Sequence, residues 1–207
     1  MLCFFLFFFG FFFFFFQAED GIRDVAVTGV QTCSSDLLSL LSRMIFSTVH
    51  SLEENNGKIE APLVLATRHG ELELSIDLIH SEISEAPFSP AKFSMSVHNS
   101  PVGLLSIHSK NKLPNTAISA GKKSLEMGLY EATAMLSEHE RCLLIYADQE
   151  LAEVYKEYKD DSDIPTCLVI LLDKKAPMAD ISFEPTNTSQ VLQFIEQAID
   201  KLSSEAN

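Results

Sequence analysis

Apolar residues in the first half of the chain recur at helical spacing. Between residues 38 and 52 they fall at Leu38, Leu41, Ile45, Val49 and Leu52, on one face of a helix. The spacing predicts an amphipathic helix that packs on the edge of a sheet. The same stretch is equally compatible with untranslated sequence that has been read through.

The apolar segments that follow predict strands. The run at residues 63–65 indicates a buried strand, and Arg-His-Gly at residues 68–70 indicates a tight turn. Residues 72–78 alternate between apolar and polar, which predicts a strand with one buried and one wetted face. Phe93, Met95 and Val97 alternate in the same way, and a turn at residues 99–101 leads into residues 102–108.

The centre of the pattern lies between residues 119 and 152. Leu129, Ala132 and Leu136 predict one short helix, placed between a glycine-bearing turn and an apolar strand at residues 141–146. A second apolar run at residues 167–173 predicts a further strand. We therefore expect a sheet that packs on this helix.

A last helix is predicted near the C-terminus. Asn187 or Thr188 can cap it, and its apolar stripe consists of Val191, Ile195, Ile199 and Leu202. Such a stripe needs a partner, either the sheet or the start of a helical-repeat region.

The first 37 residues have a different character. A nearly continuous phenylalanine tract runs to Phe16, without a positive flank or a cleavage site, and it is shorter than the about 20 residues that span a bilayer. A poly-T tract encodes polyphenylalanine, and residues 17–33 resemble the translation of a sequencing-library adapter. We predict residues 1–37 to be a sequencing artefact, disordered or a spurious helix. The predicted organisation is then a helix and loop at residues 38–60, a domain at residues 61–175, and a linker with the amphipathic helix at residues 176–207.

The charge excludes some classes of partner. The whole chain has a net charge of −14, and residues 38–207 retain 14 basic and 25 acidic residues. Phosphates of nucleic acid and anionic membrane surfaces would be repelled, whereas basic protein partners are compatible with this charge. Cys142 and Cys167 lie in apolar runs, so we expect buried free thiols in a reducing, cytoplasmic compartment.

Motifs for metal or phosphate chemistry are incomplete. Gly-Lys-Lys-Ser at residues 121–124 is similar to the end of a phosphate loop but lacks the earlier glycine, and Asp-Asp-Ser-Asp at residues 160–163 lacks the rest of a calcium loop. His139 and Cys142 straddle a turn and a strand start, and the six histidines have no metal-ligand spacing. We therefore expect no metal and no cofactor, and assign no catalytic residue.

The central stretch resembles the second half of an FKBP-type peptidyl-prolyl isomerase domain. The similarity is carried by Gly-Lys at residues 121–122, Gly-Leu-Tyr-Glu at 128–131, Met-Leu at 135–136, Glu-Arg at 140–141 and Leu-Ala at 151–152, and by Ile-Pro at 164–165 before the last strand. The resemblance implies an α+β fold in which an antiparallel β-sheet of five to six strands wraps on a short α-helix. Residues 61–175 would form this FKBP-like domain, flanked by N- and C-terminal helices.

The resemblance also implies a peptide-binding pocket. Its positions correspond here to Ile107, Leu125, Glu126, Leu129, Tyr146 and Tyr155. Leu129 replaces the family's tryptophan, Glu126 replaces an apolar residue, and residues 99–120 hold no Phe, Tyr, Trp, Asp or Glu. Because isomerisation needs a snug apolar pocket for the twisted amide, we expect a protein-binding or co-chaperone-type domain with weak or no isomerase activity. Its implied partners are proteins or proline-containing peptides, chaperones among them, and neither nucleic acid nor membrane.

Two alternatives stay open. One is an active isomerase in which Tyr146, Tyr155 and Tyr158 rebuild the pocket. The other is an unrelated α+β scaffold or binding domain that shares only the order of elements. A helix at Leu129 that crosses a concave antiparallel sheet would favour the family resemblance over the second alternative.

Overall fold

The computed structural model describes residues 4–8, 11–17, 38–159, 164–175 and 197 of the 207-residue chain. These residues include six strands, which are β1 (Phe4–Phe8), β2 (Phe11–Gln17), β3 (Leu63–Ala66), β4 (Asn115–Ile118), β5 (Arg141–Asp148) and β6 (Thr166–Asp173). They form one mixed sheet in the order β1-β2-β6-β5-β3-β4. β3 runs parallel to β4 and β5, while the remaining pairs are antiparallel.

Helices cover both faces of the sheet. They are α1 (Leu40–Asn56), α2 (Leu72–Ile83), α3 (Pro90–Met95), α4 (Ser100–Ser109) and α5 (Ser124–Met135). Buried side chains of α1 and α4 pack on one face of β3, β5 and β6, and α5 packs on the other face. The described fold is therefore a layered α/β arrangement with the sheet in the middle.

β5 is packed on both faces, which explains why its residues do not alternate between apolar and polar. Leu143 and Ile145 belong to the cluster under α1 and α4, whereas Leu144 and Tyr146 belong to the cluster under α5. Residues 142–148 are all buried. A strand with helices on both faces is apolar throughout, which is typical of parallel sheets.

The predicted fold class is wrong. The expected FKBP-like α+β fold has an antiparallel sheet wrapped on one short helix, but β3 has two parallel neighbours. Helices lie between β3 and β4 and between β4 and β5 in the chain, as parallel pairing requires. The order of apolar segments does not determine the direction in which they pair, and the resemblance rested on that order.

Two predicted strands are also wrong. Residues 72–78 begin α2, and Phe93 and Met95 lie in α3. The predicted turn at residues 99–101 and the segment that it leads into are also different, because Ser100–Ser109 forms α4. Leu and Glu supply most of the alternation in residues 72–78, and both are good helix formers. α3 begins at Pro90, and Ser89 Oγ caps it by accepting a hydrogen bond from Lys92 N at 3.3 Å.

Other predicted elements are confirmed. α1, β3, α5, β5 and β6 occupy the expected parts of the chain. α1 begins where Ser39 Oγ accepts a hydrogen bond from Ser42 N at 3.0 Å. The tight turn at residues 68–70 contains Gly70 at φ 57°.

Two predictions about the ends of the chain are not tested by the described residues. β1 and β2 lie within the phenylalanine tract, residues 18–37 lie outside the described residues, and the sequencing artefact stays a prediction. The C-terminal helix with its stripe at Val191, Ile195, Ile199 and Leu202 also lies outside the described residues, apart from Gln197 between them. Among the helices that the structure describes, none has the length and apolar content to cross a membrane.

Candidate functional site

Three parallel strands end at the same edge of the sheet. Thr67 follows β3, Ser119 follows β4, and Asp148 is the last residue of β5. Ser119 Oγ donates a hydrogen bond to the Arg68 carbonyl at 2.8 Å and so joins two of these ends. Ligands of open α/β sheets bind outside the carboxyl ends of the strands, so this edge is the candidate site.

A buried ion pair lies at the centre of this edge. Arg68 Nε donates to Asp148 Oδ2 at 2.8 Å, and the two side chains are only 7% and 2% exposed. Tyr146 OH also donates to Oδ2, at 2.6 Å, while Oδ1 accepts from Thr67 Oγ1 at 3.0 Å and from the Arg68 backbone N at 2.7 Å. Because both oxygens of the carboxylate are engaged in hydrogen bonds, Asp148 holds the Arg68 turn in place and is not free to act as a general base.

The connection from β4 to α5 forms a sharp strand-to-helix turn. Gly121 stands at its tip with φ 57°, a left-handed conformation that favours glycine. A 3₁₀ turn at Gly121–Lys123 then leads into α5. Buried Ser124 secures the turn, because its Oγ donates to the Gly121 carbonyl at 2.7 Å and accepts from Ala120 N at 3.0 Å.

A cleft of about 460 Å³ opens beside this turn. Arg68 and His69, which follow β3, line this cleft together with Gly121 and Lys122 of the β4–α5 turn. Tyr155 and Tyr158, from the 3₁₀ segment Glu153–Tyr158, and the apolar residues Leu72 and Leu151 complete the lining. The cleft therefore combines aromatic and basic side chains next to a turn that presents only backbone at its tip.

The described cysteines do not reach this cleft. Cys142 and Cys167 are fully buried within β5 and β6, and neither forms a disulfide, which confirms the expected burial. Burial raises the pKa of the Cys142 thiol to about 12, with a smaller contribution from Glu131. Burial also raises the pKa of the Cys167 thiol to about 12, although Thr48 opposes the shift. Both thiols stay protonated and unreactive at neutral pH.

The structure brings three of the residues predicted to bind a peptide together in the core and places others apart from them. Leu125 and Tyr146 are buried in the cluster under α5, and Leu129 packs against it. Glu126 on α5 pairs with Lys123 at 4.0 Å. Of the other two, Ile107 is exposed on α4, on the opposite side of the sheet, and Tyr155 lines the cleft. Peptide binding by these residues stays a prediction.

Sequence reasoning missed the ion pair. A weak signal exists for Asp148, which is a carboxylate at the end of an apolar strand. Its partner Arg68 lies 80 residues away in the chain, a distance that no local pattern reveals. The described residues contain no cluster of three or more His, Cys, Asp or Glu that could hold a metal ion.

A second buried carboxylate lies just after the Arg68 turn. Glu71 is 2% exposed, and its Oε1 accepts from Ser39 Oγ at 2.7 Å and Ser42 Oγ at 3.0 Å. Its Oε2 has no hydrogen-bond partner among the described residues. Burial therefore raises the pKa of Glu71, against the opposing effect of the two serine hydroxyls and with a small addition from Glu73.

A Glu71→Gln variant is expected to remove a pH dependence of stability. Because the native pKa lies above the unfolded one, wild-type stability falls as the pH rises from the ordinary glutamate range through the native pKa. The Oε1 of the introduced glutamine can still accept from Ser39 and Ser42, so the variant keeps this link between α1 and α2. The measurement is urea unfolding at several pH values between about 5 and 8. Exposed Glu82→Gln on the same helix is the matched control, since Glu73 itself contributes to the pKa of Glu71. A Glu71→Gln profile with the wild-type slope would contradict the assignment.

Comparison with known proteins identifies a different family from the one suggested by short motifs. A family model described as beta-ketoacyl synthase, N-terminal domain, matches residues 23–205. Among solved structures, the complex of the ketosynthase ApeO with its chain length factor ApeC from Xenorhabdus doucetiae contains a similar chain, with 32% identity and a TM-score of 0.66. That similarity covers 76% of this chain and 68% of the other.

The similarity to a second solved structure is a similarity of fold only, because the sequence identity is low. The ishigamide ketosynthase/chain length factor has 16% identity and a TM-score of 0.60 over 79% of this chain. The chain spans 55% of the length of that protein. No match to the chain was found among curated proteins.

These findings overturn the FKBP resemblance. The identification as an immunophilin-like isomerase domain, the co-chaperone-type function and the chaperone partners are wrong, because the matching family and fold are those of ketosynthases. The alternatives of a rebuilt isomerase and of an unrelated α+β scaffold fail for the same reason. The motifs behind the resemblance were mostly pairs of residues, which occur by chance in many folds.

Proposed function

The chain belongs to the beta-ketoacyl synthase N-terminal domain family, and from this premise we propose that it is the chain-length-factor-like, non-acylating subunit of a ketosynthase pair. Similarity to a chain of the ApeO–ApeC complex is compatible with either role, that of the ketosynthase or that of its chain length factor. The residues at the β4–α5 turn support the second role.

The observation that carries the proposal is Gly121 at the tip of this turn. Acyl transfer through a covalent intermediate needs a nucleophilic side chain, usually of cysteine or serine. A sharp strand-to-helix turn is a place where enzymes expose such a nucleophile. Here the strand-to-helix connection turns at Gly121, which has a positive φ and no side chain, and Ala120 and Lys122 flank it.

Nearby hydroxyls and thiols do not replace the nucleophile. Ser124 is buried and engaged with the backbone of its own turn, and Ser119 Oγ donates to the Arg68 carbonyl. Cys142 and Cys167 lie inside the sheet with raised pKa values. These observations favour a subunit that shapes the complex over one that carries the acyl group.

A protein partner is part of this proposal. Acidic composition is compatible with a protein partner that carries basic groups and disfavours nucleic acid and anionic membranes. The similar complex from Xenorhabdus doucetiae pairs a ketosynthase with a chain length factor. We therefore assign a ketosynthase subunit, and not a proline-containing peptide, as the partner of this chain.

An acylation experiment tests the proposal. After incubation with a medium-chain acyl thioester, the wild-type protein is expected to show no acyl adduct on residues 38–175 by intact mass and peptide mapping. In a Gly121→Cys variant the new thiolate can attack the acyl carbonyl, the bond to the original sulfur breaks, and the departing thiolate takes up a proton. Within the described structure a Cβ at Gly121 meets no atom within 4 Å, so there is space for this side chain. The φ of 57° costs a residue with a Cβ about 1–2 kcal/mol, so thermal unfolding verifies that the variant is folded.

The Gly121→Cys variant also serves as the control for access of the reagent. An acyl group on the introduced cysteine alone, with none on the wild-type cleft, supports a non-acylating subunit. An adduct on any wild-type residue of the cleft would contradict the proposal and favour a catalytic ketosynthase.

A further inference from the structure

Glu71 joins the wall of the cleft to the first helix. It is the last residue of the connection between β3 and α2, residues 67–71, which we call the β3–α2 turn. His69 of this turn lines the cleft. The Glu71 carboxyl bonds instead to the start of α1, where its Oε1 accepts from the Ser39 and Ser42 hydroxyls.

The second oxygen of this carboxyl is buried without a partner. Glu71 is 2% exposed, and its Oε2 makes no hydrogen bond in the described structure. Burial of a polar atom without a hydrogen bond is costly, and the cost is much larger for a charged group than for a neutral one. The position against α1 therefore suits the protonated carboxyl, and the raised pKa of Glu71 agrees with this.

The start of α2 offers the ionised carboxylate a second position. Glu71 is the N-cap residue of α2, but its side chain makes no capping hydrogen bond there. The first backbone N–H groups of a helix have no acceptor within the helix, and a helix N-terminus favours negative charge. A carboxylate that leaves Ser39 and Ser42 can thus be stabilised by these N–H groups and by water.

The segments around Glu71 also carry other charged or titratable side chains. They are Glu73 on α2, Arg43 on α1, His69 and the paired Arg68 in the β3–α2 turn, and His98 from the connection between α3 and α4. Glu73 is exposed and opposes the ionisation of Glu71. His98 lies against Gly70, the residue before Glu71. Because histidine side chains change charge near neutral pH, a test of Glu71 needs a histidine control.

We propose that Glu71 is a pH-dependent switch, which holds the β3–α2 turn on α1 while its carboxyl is protonated and releases it on ionisation. Asp148 continues to hold the backbone and the side chain of Arg68, so the opening is confined to the end of the turn and the first turn of α2. Leu72 lies there and lines the cleft. The switch goes beyond the proposed function and does not depend on it, because it acts on the shape of the cleft in a subunit of either kind.

Hydrogen exchange followed by mass spectrometry, at pH values between about 5 and 8, tests the switch. Each rate is divided by the intrinsic rate of an unfolded peptide at the same pH, so that the opening equilibrium alone remains. In the wild type the protection of residues 70–76 is expected to fall by up to about tenfold per pH unit between the ordinary and the raised pKa of Glu71. Ser75 N, which donates to the Glu71 carbonyl at 3.1 Å, reports on the first turn of α2. Glu71→Gln cannot ionise and is expected to show no such fall.

Low concentrations of urea distinguish a local opening from global unfolding. A local opening exposes little surface, so its equilibrium depends little on urea. Exchange in residues 70–76 is expected to change little with urea, while exchange in β5 accelerates. Equal urea dependence in the two segments would overturn a switch that acts locally.

Two further variants test whether Glu71 is the titrating group. Ser42→Ala removes a hydroxyl that favours the ionised form, so the fall in protection is expected to extend to higher pH. His98→Gln is the control, and it is expected to keep the wild-type pH dependence. Thermal unfolding of each variant verifies that it is folded.

The remaining outcomes decide against the switch without touching the non-acylating role. Protection of residues 70–76 that does not depend on pH in the wild type would overturn it. A pH dependence that survives in Glu71→Gln would assign the titration to another group, such as His69. Loss of the pH dependence in His98→Gln would assign it to that histidine.

Discussion

An Asp148→Ala variant is expected to lose about 3–5 kcal/mol of unfolding free energy, the usual cost of removing one partner of a buried ion pair. The guanidinium of Arg68 would lose this carboxylate in a site where only 7% of its side chain is exposed. Tyr146 OH and Thr67 Oγ1 would lose the same acceptor. Urea unfolding followed by far-UV circular dichroism measures the loss.

Two further variants separate the effect of the Asp148 charge from a loss of stability that any substitution of an acidic residue would cause. Asp148→Asn retains the size of the side chain and removes its charge, so it is expected to account for much of the loss. Asp77→Ala changes an exposed acid on α2, and it is expected to stay within about 0.5 kcal/mol of wild type. A loss at Asp148 no larger than at Asp77 would mean that the ion pair does not hold the strand ends together.

β3, β5 and β6 could be predicted from the sequence because nearly all of their residues are buried. β3, β5 and β6 consist mostly of apolar residues. A short apolar run of this kind is typical of a strand that is buried in the core. The same runs contained the signal for helices on both faces, because they do not alternate between apolar and polar residues. An antiparallel sheet with one wetted face would have alternated, so the fold class was predicted against a signal in the sequence.

α2 shows the opposite error. Leu72, Leu74, Ile76 and Leu78 alternate with polar residues, which is typical of a half-buried strand. On the helix that forms, Leu78 is buried while Ile79 and Ile83 face outwards. A helix with apolar side chains on two sides can carry an apolar residue at every second position over a short stretch, as a half-buried strand does. The prediction failed because α2 carries apolar side chains on both its buried and its exposed sides.

The site depends on topology more than on local sequence. Thr67, Ser119 and Asp148 lie at three different strand ends, and these ends share one edge of the sheet because β3 runs parallel to both β4 and β5. A sequence without known pairing cannot bring them together. Gly-Lys-Lys-Ser at residues 121–124 is similar to the end of a phosphate loop, but in the structure it forms the 3₁₀ turn that leads from β4 into α5.

The position of that turn depends in part on how closely α5 approaches β3. Gly128 is buried where the helix crosses the strand, and a Cβ there would lie 2.6 Å from Ala66 Cβ and 3.0 Å from Leu144 Cδ1. The Leu144 side chain can move, but Ala66 Cβ is fixed to the strand backbone. A larger residue therefore forces α5 away from the sheet, and with it the Gly121 turn that borders the cleft.

Gly128→Ala is consequently expected to lower the unfolding free energy by about 1–3 kcal/mol, the usual cost of overpacking. This would occur although alanine favours the helix over glycine by about 1 kcal/mol. Gly103→Ala in α4 is the matched control, because no atom lies within 4 Å of a Cβ built there. The control is expected to gain about 0.5–1 kcal/mol in the same urea titration. A gain at both glycines would show that α5 and β3 can separate at little cost, and that Gly128 does not fix the position of the turn.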